Sequence, residues 1–401
     1  LTHFGKEEMP LLKDYIVLNK FGLSVLGAWP LGDNVPKWRQ TLQHFHVALI
    51  YILLFGLLVP QMTDLYVFRG NIQANAENLC TSLTTFTVIA KLTNLVIMRD
   101  TLKVAIREME QNWNRTMQLT VPKVHRDLLL QAANISRTFT RRYCVIMYIT
   151  ASMYFILPLI TDIESSTQRP RKYPFCAWYR YDQTSDIIYV VLYLSQVVIG
   201  LSCGTGNFSM DSLFLVMVHH ICAQLQILQR ELRMLGTSGL QTNLEIPPQY
   251  RDKTDHERHI QSSRNLKAVF DGATLQQLFV SSVIICVIGF KLIVSLDSSE
   301  FETVIYLTYM LLVIFQIYLY SSPGDALMNE SLEIGKAAYE CPWMDLPSSV
   351  TRCLLVTTMR SQKPLSITAG NFIVMSMPNF TKILKTSLSY LSVLRAMYDD
   401  N

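Results

Sequence analysis

The sequence predicts an all-α membrane protein of seven transmembrane helices. Its N-terminus is cytoplasmic, its C-terminus extracellular, and its helices extend into a cytoplasmic anchor domain. Three observations predict this. Half of the 401 residues are hydrophobic and only 16% are charged, a composition typical of membrane chains. Seven stretches, near 41–62, 76–98, 143–161, 187–204, 274–296, 303–321 and 368–395, are long enough to cross a hydrocarbon core of about 30 Å. The segments on the N-terminal side of the spans (1–40, 99–142, 205–273 and 322–365) hold 25 Lys and Arg, whereas the opposite segments hold 5. Basic residues stay in the cytoplasm, so the split sets the direction.

Residues 1–40 form a cytoplasmic N-terminal segment. LTHFGKEEMPLL has no apolar run of the signal-peptide kind. Residues 41–204 carry the first four spans and their loops. Lys91 sits inside the second span. An ionisable group there is a functional candidate by default, but its cytoplasmic-side position points to snorkelling or a carboxylate partner. Residues 205–273 extend the fourth span. After CGTGN, read as a flexible break, Leu213, Met217, Ile221, Leu225, Leu228 and Leu232 recur on one helical face. From Ile187 to Leu235 the run would measure about 74 Å as helix, more than twice the hydrocarbon thickness. Part of it must project into the cytoplasm, where VPKVHRDLLLQAANISRTFTRRY and SRNLKAVFDGATLQQLF are expected to cover its apolar face.

Residues 274–321 form a helical hairpin, spans five and six, around the acidic turn LDSSEFE. In the anchor segment 322–365, PSSVTRCLLVTTMR is a short helix expected to be capped by Ser348 or Ser349, with Pro364 ending it. These membrane-proximal helices suit either an assembly domain shared between subunits or mutual cover within one chain. Residues 366–401 are the last span and tail, with Lys382, Lys385 and Arg395 along it.

Several classes are disfavoured. No basic run with interleaved aromatics suggests nucleic acid. The eight cysteines lie mostly in or beside apolar runs without CxxC spacing, as small apolar side chains do. DHERH, Asp255 to His259, has helical ligand spacing but no partner cluster. GLSCGTG lacks the ending of a phosphate loop. No nucleophile–base constellation appears, so no enzyme, catalytic residue, metal or cofactor is expected. Sequons begin at Asn114, Asn134, Asn207, Asn329 and Asn379. All fall in cytosol or membrane and are read as unused. A G-protein-coupled receptor would put the basic loops on the wrong face, and its Asp-Arg-Tyr and Asn-Pro-x-x-Tyr signatures are missing. A transporter's inverted repeats are not evident.

Three motifs carry a resemblance over essentially the whole chain. They are DSLFLVMVHHICAQLQILQRELRML; FQIYLYSSPGDALMNESLEIGKAAYECPWMDLP with Ser331, Ala338, Tyr339 and Trp343; and the ending with Thr368, Gly370, Phe372, Ser376, Ser387, Ser389, Tyr390 and Val393. Together they resemble the insect odorant receptor family. The resemblance implies a ligand-gated nonselective cation channel of four subunits around one pore, in the plasma membrane of olfactory sensory neurons. It also implies a partner, the odorant co-receptor. This chain resembles the ligand-tuned subunit, because its loop between spans four and five is shorter than the co-receptor's. A homomeric gustatory-receptor-like channel is the alternative within the class.

A small volatile ligand needs an enclosed apolar cavity with a few polar groups. The outer halves of the spans offer Ser82, Thr85 and Phe86 in the second, Ala151, Tyr154 and Phe155 in the third, Tyr189, Tyr193 and Gln196 in the fourth, and Tyr306, Tyr309 and Met310 in the sixth. The family builds its pocket between these spans with tyrosines on the sixth, which favours Tyr306 and Tyr309. In the last span Thr386, Ser389, Val393 and Ala396 share a helical stripe. By spacing alone the stripe reads first as small-residue packing. The resemblance makes it a pore lining with Val393 at the gate, where an apolar ring closes by dewetting.

Overall fold

The computed structural model describes residues 10–68, 72–118, 121–164, 173–179, 186–235, 254–295 and 300–399. Two short helices, α1 (Leu12–Tyr15) and α2 (Val17–Val25), lead into α3 (Lys37–Val67), α4 (Ile72–Ile97), α5 (Arg99–Thr116), α6 (Lys123–Glu164), α7 (Asp186–Met234), α8 (Thr254–Ser295), α9 (Glu300–Glu340), α10 (Ser348–Ser361) and α11 (Met377–Asp399). Two-residue strands β1 (Thr368–Ala369) and β2 (Ile373–Val374) pair antiparallel. Among the described residues six helices, α3, α4, α6, α7, α8 and α9, are long and apolar enough to cross a membrane. The seventh span, α11, has 23 residues, about 35 Å of helix, with its three cations diluting the apolar run.

Helix α7 is the axis of the bundle. Along 205–225 only His219 is even partly exposed, because α6, α9, α2 and α8 all pack against it. The stretch CGTGN is therefore not a flexible break but mid-helix. Gly206 is a spacer: a Cβ there would lie 3.0 Å from Leu26 Cδ1 and 3.1 Å from Val88 Cγ1. Close approach of α2 and α4 offsets the roughly 1 kcal/mol that glycine loses in a helix interior. Both segments expected to cover the projecting part of α7, the first half of α6 and the start of α8, do pack on it.

The N-terminal segment folds back onto the bundle. Asn19 Nδ2 donates to Ser212 Oγ of α7 at 2.7 Å, and Gln43 Nε2 donates to the carbonyls of Gly27 and Trp29 at 2.8 and 2.7 Å. Asp33 is held by Lys103 of α5 at 2.7 Å and by Arg107. The Lys103 hydrogen bond, with Arg107 adding to it, keeps that exposed carboxyl below its usual pKa.

Two boundaries differ from the sequence expectation. The last helix begins at Met377, because 368–374 form the β1–β2 hairpin whose turn, Gly370 and Asn371, has positive φ (both 61°). Asp271 of α8 clamps that turn: its Oδ1 accepts from Thr368 Oγ1 at 2.7 Å and from Asn371 N at 3.2 Å. Helix α10 is entered from Pro347 without a side-chain cap from Ser348 or Ser349. It stops at Ser361, three residues before Pro364. The side chains of DHERH, most of LDSSEFE and the segment 236–253 lie outside the described residues.

Candidate functional site

Between α4, α6, α7, α8 and α9 lies a cavity of about 110 Å³. Its wall is largely apolar, with Ala151, Tyr154 and Phe155 from α6, Leu312 and Val313 from α9, and Phe175 from the loop before α7. Two packing choices keep it open. Small residues, Gly200 and Gly204 of α7, lie where side chains would fill it. A Cβ on Gly200 would meet the rings of Phe155 and Phe175 at 2.9 Å. Threonines of α4 turn their hydroxyls back on their own helix: Thr84 Oγ1 donates to Cys80 O at 2.9 Å, Thr85 Oγ1 to Thr81 O at 3.1 Å, and Thr87 Oγ1 to Leu83 O at 2.9 Å. A hydroxyl satisfied this way crosses an apolar medium without a desolvation debt.

The expected ligand residues divide. Thr85, Ala151, Tyr154, Phe155 and Tyr309 line the cavity; Ser82, Phe86, Tyr189, Tyr193, Gln196, Tyr306 and Met310 do not. Phe86 is 46% exposed on the outer surface of the bundle. Tyr193 and Gln196 hold the rim instead. Tyr193 OH donates to Phe155 O, and Gln196 Oε1 accepts from Phe175 N at 2.9 Å. Tyr189 stacks obliquely between Tyr173 and Tyr193. Tyr306 points to Glu77 Oε2, 3.4 Å away, and Lys291 Nζ lies 3.5 Å from the same oxygen. Tyr309 OH is engaged by Thr84 Oγ1 at 2.5 Å and Cys80 O at 3.3 Å, with its ring edge-on to Tyr154.

The polar end of the cavity belongs to residues that sequence reasoning passed over. Asn207, Gln277 and Gln316 line it. Behind them Lys91 Nζ lies 2.5 Å from Asp211 Oδ1 and donates to Asn207 Oδ1 at 3.2 Å. The lysine thus has the carboxylate partner its sequence position suggested. Tyr320 OH and Tyr143 OH also donate to Asp211, at 2.6 and 2.9 Å. The signal for these residues was available: an aspartate in NFSMDSLF and amides in TLQQLF and FQIYLY are polar groups inside apolar runs. The apparent break at CGTGN hid the first, by placing Asp211 outside the membrane.

Helix α11 touches the bundle along one side. Cys286 Sγ contacts Ser387 O at 3.2 Å, and a Cβ on Gly289 would meet Leu391 Cδ2 at 2.7 Å. Lys382, Lys385, Thr386, Ser389, Val393 and Arg395 are exposed. Ala396 is in the same helix, its side chain outside the described residues.

Long apolar helices, with α4, α6, α7, α8 and α9 enclosing an apolar cavity, define a multi-pass helical membrane protein with room for a small molecule inside its bundle. A family model described as 7tm Odorant receptor matches residues 71–388, and the chain belongs to that family. Odorant receptor 13a of Drosophila melanogaster is 25% identical, over 94% of each chain. Odorant receptor 10 of Aedes albopictus is 28% identical, over 53% of this chain and 56% of its own. In fold the chain is similar to the olfactory receptor OR5 from Machilis hrabei in complex with eugenol. The TM-score is 0.81 at 16% identity, covering 96% of this chain and 98% of that one.

Proposed function

We propose that this odorant receptor is the ligand-tuned subunit of an odorant-gated nonselective cation channel. It takes a small volatile molecule into the cavity between α4, α6, α7, α8 and α9, and it works as a heterotetramer with the odorant co-receptor. The observation that carries the reading is α11. A spanning helix that leaves Lys382 and Lys385 uncovered on the side of Val393 is poorly matched to lipid there, because of its two charges. Gathered around an axis with the same helix of other subunits, that side becomes the wall of a water-filled passage. Thr386 and Ser389 then supply hydroxyls and Val393 an apolar constriction. The membrane-proximal ends of α7, α9 and α10 supply the anchor on which subunits meet.

The test is current from excised patches without GTP, in cells expressing the chain with and without the co-receptor. Fast odorant-evoked cation current from the mixed patch alone supports the reading. Current from the chain by itself replaces the heteromer with a homomer of the gustatory-receptor kind. A signal that needs GTP removes the channel.

A further inference from the structure

The buried carboxylate of Asp211 fixes the direction of every hydrogen bond between it and the cavity. An ionised carboxylate only accepts, so Tyr143 donates to it, at 2.9 Å. The phenol oxygen is then left to accept, and Gln316 Nε2 donates to it at 3.0 Å. That turns Gln316 Oε1 towards Gln277, whose Nε2 donates to it at 3.1 Å and to Ser281 Oγ at 2.7 Å. Flipping the Gln277 amide would set two carbonyl oxygens against each other. The relay runs in one direction only, and it ends on Gln277 Oε1. This atom is buried without a hydrogen-bond partner, on a residue that is 2% exposed and lines the cavity. An unpaired buried acceptor is unfavourable, and a ligand that brings a donor relieves it.

Among the lining residues, Gln277 Oε1 is the fully buried acceptor left without a partner. The hydroxyls of Thr84, Thr85 and Thr87 are committed to their own helix, and Tyr309 OH to Thr84 and Cys80. We infer that the cavity selects ligands bearing a hydroxyl, alcohols or phenols on a small apolar skeleton, with Gln277 Oε1 accepting the hydroxyl hydrogen. The inference rests on the cavity being the odorant site, and it adds Gln277 as the residue that sets ligand class, with Gln316 and Tyr143 as positioning residues behind it.

The test uses matched probes on the chain expressed with its co-receptor: 1-octanol against methyl heptyl ether and 2-octanone, and 4-methylphenol against 4-methylanisole and 4-methylbenzaldehyde. One neutral hydrogen bond predicts about tenfold greater sensitivity to the hydroxyl member of each set. Gln277→Met should bring that preference down to about twofold or less. Tyr143→Phe, which leaves the cavity wall untouched but lets both amides turn, should also reduce it. The ratio within one variant is independent of how much channel reaches the surface, so partial misfolding does not mimic the effect. Ala151→Phe separates the two levels of the argument. If it leaves all responses unchanged, the cavity is not the odorant site. If it blocks them while Gln277→Met keeps the hydroxyl preference, the site stands and the class assignment is overturned. Preference for the ether or ketone, or silence to both hydroxyl probes, overturns the assignment as well.

Discussion

Lys91 and Asp211, 120 residues apart in the chain, meet at 2.5 Å in the middle of the bundle with side chains 1% and 0% exposed. The pair ties α4 to α7, and through Tyr143 and Tyr320 it ties both to α6 and α9. Attraction between two such charges is strong in a low dielectric, yet their desolvation cancels much of it. The pair therefore contributes less to stability than to deciding which helix faces meet.

That balance gives the first prediction. Removing one partner leaves the other charge buried and alone, at about 3–5 kcal/mol. Lys91→Met and Asp211→Asn should each sharply lower surface expression and thermal stability in detergent. The double variant Lys91→Met/Asp211→Asn should recover a clear part of both, because no unpaired charge remains. Equal loss in the double and the single variants would mean that the network matters for shape rather than charge.

Gly200 sets the width of the cavity. Its missing Cβ is the space occupied by the ring edges of Phe155 and Phe175 at 2.9 Å. Gly200→Ala should push both rings inward and cost about 1–3 kcal/mol as overpacking. Dose–response curves should shift against the larger ligands more than against the smaller. A uniform shift for every ligand would place the effect in folding alone.

Much of the fold was legible because the length of an apolar run is a coarse quantity. Spans one to six and the overrun of α7 follow from the apolar runs and their lengths. The hairpin before α11 was not legible, since 368–376 is apolar enough to extend a helix and only the turn at Gly370 and Asn371, clamped by Asp271, says otherwise. The site was legible in part. Position along a span gives depth, and the outer-half rule reached Thr85, Ala151, Tyr154, Phe155 and Tyr309. It does not give helix rotation, which set Phe86 facing outward and Tyr306 towards Glu77. The amides at the cavity's polar end needed the fold itself, because their roles depend on a carboxylate contributed by another helix.

Asp271 joins α8, which lines the cavity, to the hairpin from which α11 starts. Its side chain holds Thr368 and Asn371, and its backbone carbonyl accepts from Gly370 N at 3.3 Å. Asp271→Ala should therefore reduce maximal odorant-evoked current at unchanged surface density and leave the half-maximal ligand concentration within about twofold. Gly370→Ala should be harsher, as φ is +61° and the new Cβ would sit 2.4 Å from Leu275 Cδ2. A strained left-handed residue plus that clash predicts a loss of at least about 1–3 kcal/mol, read as loss of folded protein. If Asp271→Ala moved ligand sensitivity tenfold with maximal current intact, the clamp would belong to binding rather than to transmission.

The exposed cations of α11 argue for a mixed assembly. Lys382 and Lys385 lie four residues and one residue before Thr386 on the helix that carries the proposed pore stripe. Four identical copies would set eight fixed positive charges near the mouth of a passage for cations, and like charge at a pore mouth opposes entry. Subunits from a co-receptor would dilute that field. Lys382→Gln and Lys385→Gln should then raise single-channel cation conductance in the mixed channel, more strongly at low ionic strength, where screening is weak. The double variant should be the one form of this chain to pass measurable current without its partner. If neutralising both lysines changed neither conductance nor its dependence on salt, these side chains would face lipid headgroups or a neighbouring helix, and another feature would have to enforce the mixed assembly.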